Sequence, residues 1–297
     1  MALFLLAVVL PSRAGSSATI VVPDRLCLPG EEIFIEATLY GSGALGLFQV
    51  GIQGELLGFL DPEGHPLRDL LTDASGLARI PYSAGTPGRY PFTVHLVGNP
   101  RYSADPSTGN LFVQDRKLPL LFVSVEEGLM PPRSTFLLLK DPRKVEPQPG
   151  SVRALCDVAP CHVLVYLTLW PRPSSRQIRS WLETKGYPPG AIYFVDRPLP
   201  GGIVTQEPAP QTKVLESLWK ERSVPARLAT RDRSLAKAAA DKEIRVLLLG
   251  SEATTPSVPG EEEGSAERIA AVHDWAEVPE LCRCGAVAGK DTPFHEE

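Results

Sequence analysis

The sequence predicts two domains of different class, an all-β sandwich followed by an α/β domain with a mostly parallel sheet. Residues 19–114 contain short apolar stretches that turn residues interrupt at close spacing, without a helical period. From residue 115 onward, apolar strands alternate with amphipathic stretches of helical period, which is the pattern of βαβ units. A chain of 297 residues is long enough to build two such cores.

The N-terminal segment, residues 1–18, is interpreted as a secretory signal peptide. Its apolar run at 2–10 is too short to span a bilayer, and cleavage after Ala14 or Ala18 would satisfy the preference for small residues. The alternative is an apolar first strand, because the usual basic region is missing. We therefore expect an exported protein, periplasmic or extracellular, with no transmembrane segment after signal removal.

The stretches in residues 19–114 have the length and composition of ordinary strands. Turn residues such as Pro29-Gly30 and Thr86-Pro-Gly88 separate them. Their order along the chain resembles bacterial immunoglobulin-like domains, and this resemblance implies a scaffold for adhesion, spacing or ligand contact. The predicted strands are 20–22, 33–40, 47–52, 78–82, 90–97 and 110–113.

The second domain is predicted to cover residues 115–280, with a flexible tail at 281–297. We expect Ser151 and Ser174 to cap the first two helices, and Glu261–Glu263 to lie in a solvated loop. The predicted strands are 120–125, 161–168, 191–195, 225–229 and 244–250. The predicted helices are 150–159, 174–186, 212–220, 234–240 and 266–275, the last docking through Ile269, Val272 and Trp275.

The charge and the cysteines restrict the partners. A net charge of −5 gives no electrostatic reason to expect nucleic acid or an anionic membrane as partner. The five cysteines cannot all pair within one molecule, and Cys156 with Cys161 is the expected disulfide. Cys282 and Cys284 supply two thiols where zinc needs four ligands. Cys27 is predicted to be a buried strand residue.

The segment 118–130 carries the most specific motif. A hydrophobic strand is followed by Ser124, Glu126 and Gly128 at two-residue spacing. This resembles the first motif of haloacid dehalogenase-like phosphatases, in which the strand leads into Asp-x-Asp-x-Thr. The resemblance implies that Ser124 occupies the position of the family's nucleophilic aspartate, Glu126 that of the acid/base aspartate, and Gly128 that of the threonine. We therefore expect a chain that keeps the phosphatase fold and has lost the phosphatase activity.

The resemblance extends over residues 118–275 and is closest to the lipin-like branch, which includes bacterial phosphatidate-phosphatase-like proteins. It depends on residues 165–171, 178–182 and the turn Gly186-Tyr-Pro-Pro-Gly190. It implies that Thr168 is the phosphate-binding hydroxyl and that Lys213 is the motif lysine.

The acidic positions of the family are not matched. The resemblance implies two acids after the strand at 225–229, whereas Asp232 stands alone between Arg231 and Arg233. Positive charge there repels a metal cation, so Glu126 and Asp232 are only weak candidate magnesium ligands. We expect no cofactor, and magnesium only in the case of residual phosphatase activity.

We therefore expect an exported, non-catalytic binding or scaffolding protein. Thr168, Lys213, Arg231 and Arg233 are predicted to converge at the carboxyl edge of the sheet and to hold a phosphate-bearing small molecule. An envelope protein is the other expected class of partner. The alternative is a magnesium-dependent phosphatase acting on phosphatidate or another phosphomonoester. A second alternative is adhesion or spacing through the sandwich alone.

Overall fold

A computed structural model describes residues 16–42, 49–115, 117–131, 144–170, 172–194, 210–220, 224–250 and 268–282. Most of the predicted leader, the Glu261–Glu263 run and residues 283–297 lie outside these ranges. Within them, no helix is long and apolar enough to cross a membrane. The chain divides into two compact units. One comprises Met1–Val22, Phe34–Ile80 and Pro91–Thr108, and the other comprises Pro23–Ile33, Pro81–Tyr90 and Gly109–Glu297.

The N-terminal half of the described chain is all β, as predicted. One sheet has the order β4-β3-β1-β9, with β7 also paired to β3, and a second sheet has the order β2-β10-β8-β5-β6. The strands are β1 Ser16–Val21, β2 Arg25–Cys27, β3 Glu32–Ser42, β4 Gln49–Gly51, β5 Leu56–Leu60, β6 Pro66–Leu71, β7 Leu77–Ser83, β8 Gly88–Leu96, β9 Tyr102–Ser103 and β10 Ser107–Val113.

Four of these strands, β2, β5, β6 and β9, were not predicted from the sequence. β5 and β6 form an antiparallel hairpin whose connection is held by Asp61. The Asp61 carboxylate accepts hydrogen bonds from the backbone N–H groups of Glu63 and His65, and Gly64 takes a left-handed φ of 86°. Five of the six β6 residues are exposed, and Leu70 is half-buried. The strand therefore lacks the alternation of apolar and polar residues by which a strand with one buried face is predicted.

The α/β part contains one six-stranded sheet in which every pairing is parallel. The strand order is β13-β12-β11-β14-β15-β16, and it reverses direction between β11 and β14. This confirms the predicted fold class. The strands are β11 Leu120–Ser124, β12 Val163–Thr168, β13 Ala191–Phe194, β14 Ala226–Thr230, β15 Arg245–Leu249 and β16 Ile269–Val272. The helices are α1 Ser151–Val158, α2 Ser175–Thr184, α3 Pro210–Lys220, α4 Arg233–Ala240 and α5 Val278–Leu281.

Helices cover both faces of this sheet, which explains the continuous apolar strands. Leu121 and Val123 of β11 pack in the same cluster as residues of α1 and α2. Leu120 and Phe122, which point to the opposite face, pack in the same cluster as residues of α3 and α4. The predicted inner face of α2, formed by Ile178, Trp181 and Leu182, is buried.

The predicted last helix at 266–275 is wrong. Ile269–Val272 is a strand, β16, which pairs in parallel with β15. Tertiary pairing with the sheet edge overrides the helix propensity of the two alanines in this segment. Trp275 and Val272 are buried as expected, but they dock from a strand and a short 3₁₀ turn.

The predicted serine caps are also wrong. Gly150, with a left-handed φ of 77°, precedes α1, and the Ser151 hydroxyl donates to the Gln148 carbonyl instead. Ser174 does precede α2, but its side chain makes no capping hydrogen bond. Packing of these helices against the sheet therefore substitutes for side-chain capping.

The cysteines correct one prediction and confirm another. Cys156 is a free, exposed thiol, whereas Cys161 is disulfide-bonded, so the predicted bond between them is wrong. Cys27 is fully buried in β2, as predicted. Cys282 is a second buried free thiol.

A buried carboxylate, that of Asp24, anchors the second compact unit. It accepts hydrogen bonds from the backbone N–H and side-chain amide of Asn110, from both terminal nitrogens of Arg179 and from the backbone N–H of Ile192. Asp24 is 1% exposed. A charge with this many donors is fully compensated, and the segment Pro23–Ile33 is thereby fastened to β13 and α2.

Candidate functional site

The candidate site lies at the carboxyl edge, where β11, β12 and β14 end at Ser124, Thr168 and Thr230. The strand order reverses between β11 and β14, and open α/β sheets bind ligands at such a switch point. A single π-helical turn, Val125–Leu129, follows β11. Such turns are rare and often occur at functional sites.

Ser124, at the predicted nucleophile position, serves the backbone. Its side chain is fully buried, and its Oγ accepts a hydrogen bond from the Glu127 N–H at 3.4 Å, which caps the π-helical turn. Gly128, at the predicted threonine position, offers its carbonyl to the indole Nε1–H of Trp275 at 3.2 Å. The two positions therefore shape the turn and present no reactive group.

Glu126 is the buried acid of the site. Its Oε1 accepts hydrogen bonds from the Thr168 hydroxyl at 2.5 Å and the Leu169 N–H at 3.1 Å, while its Oε2 has no partner. Burial raises the pKa of Glu126, although the Thr168 hydrogen bond acts in the opposite direction. Burial therefore makes the acid form of Glu126 easier to reach than for a free carboxyl group, and in that form Oε2 donates a hydrogen bond.

Thr168 lies where the sequence predicted a phosphate-binding hydroxyl, but its hydrogen bond goes to Glu126. Its Oγ1 also accepts a hydrogen bond from the Trp170 N–H at 3.2 Å. The hydroxyl and the Leu169 N–H together form a donor pair that Glu126 occupies. The side chain of Glu126 therefore takes the place of an oxyanion at the end of β12.

Arg231 joins the two strands of the switch point. Its backbone N–H and its Nε both donate to the Glu127 carbonyl, at 2.7 and 3.1 Å, and its Nη2 donates to the Met130 carbonyl. Partial burial lowers the pKa of Arg231, and the Glu127 carboxylate opposes this effect. Much of its donor capacity is therefore committed to the turn after β11.

The neighbours of Arg231 have different roles. Asp232 caps α4, since its Oδ1 accepts hydrogen bonds from the backbone N–H groups of Ser234 and Leu235 at 2.8 and 3.2 Å. Arg233 is the first residue of α4 and is exposed. The predicted convergence of Thr168 and Arg231 near one switch point fits their positions at the ends of β12 and β14, but their side chains contact different groups.

The first turn of α3 adds polar groups that the sequence reasoning missed. A crossover helix between parallel strands runs antiparallel to them, so α3 begins at the carboxyl edge. Lys213 is exposed there, whereas Gln211 and Thr212 are buried. Within the described ranges, Gln211 Nε2 and Thr212 Oγ1 have no hydrogen-bond partner. Their position at the start of an amphipathic helix was the sequence signal that could have revealed them.

The donor set does not fit a magnesium site. Magnesium prefers ionised carboxylates in octahedral geometry, whereas burial disfavours ionisation of Glu126 and the Asp232 carboxylate caps α4. Among the described residues, the group of three potential metal ligands is Asp61, Glu63 and His65, in the β5–β6 turn. We therefore derive no magnesium-dependent step.

No protein-family model and no curated protein sequence matches the chain. Similar solved structures include D,D-heptose 1,7-bisphosphate phosphatase from B. bronchiseptica, at TM-score 0.42 and 16% identity, over 55% of this chain and 97% of the other. Fibronectin(III)-like modules of CbhA from Clostridium thermocellum match 33% of this chain and 95% of theirs, at TM-score 0.23 and 15% identity. The D00–D0 domain of intimin matches 33% of this chain and 46% of its own length, at TM-score 0.25 and 16% identity.

TM-scores this low support no statement about activity. The fold class of this chain follows from its own strand order and pairing.

Proposed function

We propose that the protein is an exported, non-catalytic binding protein whose carboxyl edge holds a small phosphate-bearing molecule. One observation carries this proposal. Four of the five buried side-chain atoms without a partner in the described residues belong to residues at this edge. These four are Glu126 Oε2, Trp170 Nε1, Gln211 Nε2 and Thr212 Oγ1; the fifth is Gln114 Oε1.

The chemistry of these atoms favours an acceptor-rich ligand. The indole and amide nitrogens are donors, the threonine hydroxyl donates or accepts, and Glu126 donates from Oε2 in its acid form. A buried polar atom without a partner costs about 1–3 kcal/mol. Phosphate oxygens would satisfy these donors, and the positive end of the α3 dipole favours an anion.

The same geometry disfavours hydrolysis. Phosphoryl transfer needs a nucleophile with access to phosphorus, whereas Ser124 is fully buried and caps a turn. Asp232 is likewise committed to α4. A ligand at this edge therefore meets donors that hold it and no group that attacks it.

Two features support export. The apolar run at residues 2–10 has the length of a leader's core. Cys161 is disulfide-bonded, and such bonds persist in oxidising compartments such as the bacterial periplasm. β1 begins at Ser16, so cleavage after Ala14 would leave this strand whole, whereas cleavage after Ala18 would remove half of it.

Isothermal titration of the full chain with inorganic phosphate and glycerol phosphate tests the binding. We expect Thr212→Val and Trp170→Phe each to weaken binding about tenfold, since each removes one hydrogen bond of roughly 1–1.5 kcal/mol. Ser217→Ala, on the exposed face of the same helix, is the matched control and should bind like wild type. Unchanged affinity in both site variants would rule out this edge as the binding site.

A phosphatase is the second candidate, because burial raises the pKa of Glu126, which is the direction that a carboxyl general acid needs. Its test is phosphate release by the full chain from a phosphomonoester panel that includes phosphatidate, with and without magnesium. We expect none. Magnesium-dependent turnover that Glu126→Gln abolishes and Glu127→Gln retains would replace the binding proposal.

A further inference from the structure

A second charged site lies at the opposite, amino edge of the parallel sheet. Arg227 is the second residue of β14 and pairs in register with Leu121 of β11. His162 immediately precedes β12, whose first residue Val163 pairs with Leu120. β11 therefore lies between two strands that carry a guanidinium and an imidazole at or next to their first residues.

The Arg227 side chain is buried, and no described residue forms an ion pair with it. It is 6% exposed, and in the described part of the chain its hydrogen bond runs from Nη1 to the Nε2 of His162, at 3.2 Å. His162 Nδ1 lies 3.3 Å from the Val158 carbonyl, which assigns the imidazole proton to Nδ1 and leaves Nε2 as the acceptor. Burial and then the nearby guanidinium lower the pKa of His162 to about 4, so the ring is neutral at physiological pH.

The nearest thiol does not supply the missing charge either. Cys282 is buried, and its burial raises the pKa of the thiol, although Arg227 acts against this. A buried guanidinium without a partner of opposite charge is destabilising by several kcal/mol. Five side-chain nitrogen or oxygen atoms in the described residues are both inaccessible to solvent and without a hydrogen-bond partner, and none of them belongs to Arg227. The Arg227 N–H groups that His162 does not bind are therefore accessible to solvent.

We propose that Arg227 binds a small oxyanion, such as a carboxylate, sulfate or phosphate group, at the amino edge of the sheet. With Nη1 held by His162, the guanidinium still presents Nε and Nη2, which form the planar fork that carboxylates and other oxyanions match with two parallel hydrogen bonds. His162 is a positioning residue: it fixes the plane of the guanidinium and leaves the positive charge uncompensated.

This site is independent of the proposed function. It uses no residue of the carboxyl edge, and it would remain if the carboxyl edge bound nothing. Thr212→Val, which removes one donor of the carboxyl edge, separates the two sites experimentally.

The experiment measures the thermal unfolding midpoint of the full chain at fixed pH and ionic strength, with chloride exchanged for acetate, sulfate or phosphate. We expect at least one oxyanion to raise the midpoint of wild type and of Thr212→Val by more than it raises that of Arg227→Gln. A rise with acetate assigns a carboxylate site, whereas a rise with sulfate or phosphate alone assigns a tetrahedral anion. Equal rises in wild type and Arg227→Gln would overturn the proposal.

A measurement on wild type keeps the proposal testable if Arg227→Gln does not fold. Imidazole ¹⁵N chemical shifts are followed by NMR during titration with the same salts. Binding at Arg227 should shift the His162 Nε2 signal saturably, while the exposed His273 serves as the control. A His162 signal that moves no more than that of His273 at every concentration would contradict the assignment.

Discussion

At the residue scale, the donor pair at the end of β12 determines the state of Glu126. The Thr168 hydroxyl and the Leu169 N–H both donate to one carboxyl oxygen, so Glu126 is held in a fixed position although burial disfavours its charge. The residue that matched a catalytic acid in the sequence therefore acts first as an internal ligand.

Replacing Thr168 tests this arrangement. Thr168→Val keeps the shape of the side chain and removes the hydroxyl, which leaves Glu126 Oε1 with the Leu169 N–H alone and also removes the acceptor of the Trp170 N–H. We expect a loss of about 1–3 kcal/mol in the free energy of unfolding by chemical denaturation. Thr184→Val, at an exposed position in α2, is the control and should change stability by less than about 0.5 kcal/mol. Equal changes in the free energy of unfolding of the two variants would show that the hydrogen bond to Glu126 does not stabilise the folded protein.

Asp24 offers a larger effect at the same scale. Asp24→Asn removes the charge that compensates Arg179 and replaces an acceptor oxygen by an amide donor facing other donors. Breaking a buried ion pair in this way costs about 3–5 kcal/mol, which urea unfolding would measure. Asp157→Asn, at an exposed position on α1, should be nearly neutral. A loss below about 1 kcal/mol for Asp24→Asn would mean that the network is not cooperative.

At the element scale, the turn between α2 and β13 depends on two glycines. Gly186 ends the helix region with a left-handed φ of 80°, and Gly190 packs against β12. A Cβ at Gly190 would lie 2.7 Å from a ring carbon of Tyr166 and 2.8 Å from the Leu164 carbonyl. Close backbone approach, rather than unusual dihedral angles, is what requires glycine at this second position.

Gly190→Ala should therefore destabilise the protein by about 1–3 kcal/mol, because the backbone carbonyl cannot move away without disturbing β12. Gly85→Ala is the matched control, since a Cβ there meets nothing within 4 Å. Thermal unfolding of both variants measures the difference. Similar unfolding midpoints for Gly190→Ala and Gly85→Ala would show that the turn can move away from β12 with little loss of stability.

The elements were predictable where the local pattern and the tertiary environment agree. The six strands and four main helices of the α/β part follow from apolar runs and amphipathic periods, apart from β16, whose Ile-Ala-Ala-Val sequence suits a helix equally well until β15 offers a pairing edge. β6 was missed because its exposed residues lack alternation. Glu126 and Thr168 were found through a motif. Trp170 lies in the matched stretch 165–171, where no role was predicted for it, and Gln211 and Thr212 belong to no motif.

At the scale of the whole molecule, stability should depend on pH through His162. Its pKa is lowered from 6.5 to about 4 in the folded protein, so below pH 6.5 the unfolded chain takes up a proton that the folded chain does not. The free energy of unfolding should stay level above pH 6.5 and fall by up to about 3 kcal/mol as the pH drops to 4.

Urea unfolding between pH 4 and 8 measures this dependence. His162→Gln should remove much of the decline, whereas His273→Gln, at an exposed position, should retain it. A decline of the same size in wild type and His162→Gln would place its origin in the carboxylates instead.

The order in which the chain is synthesised gives Asp24 a further significance. Its partners Arg179 and Ile192 follow it by 155 and 168 residues. A ribosome that adds about 5–20 residues per second delivers them many seconds after Asp24 has emerged. The Asp24 carboxylate can therefore meet Asn110 early, but its countercharge Arg179 and the Ile192 N–H reach it only when nearly two thirds of the chain exists. We conclude that the second unit completes its folding late, through contacts of long sequence separation that slow the search for the native state.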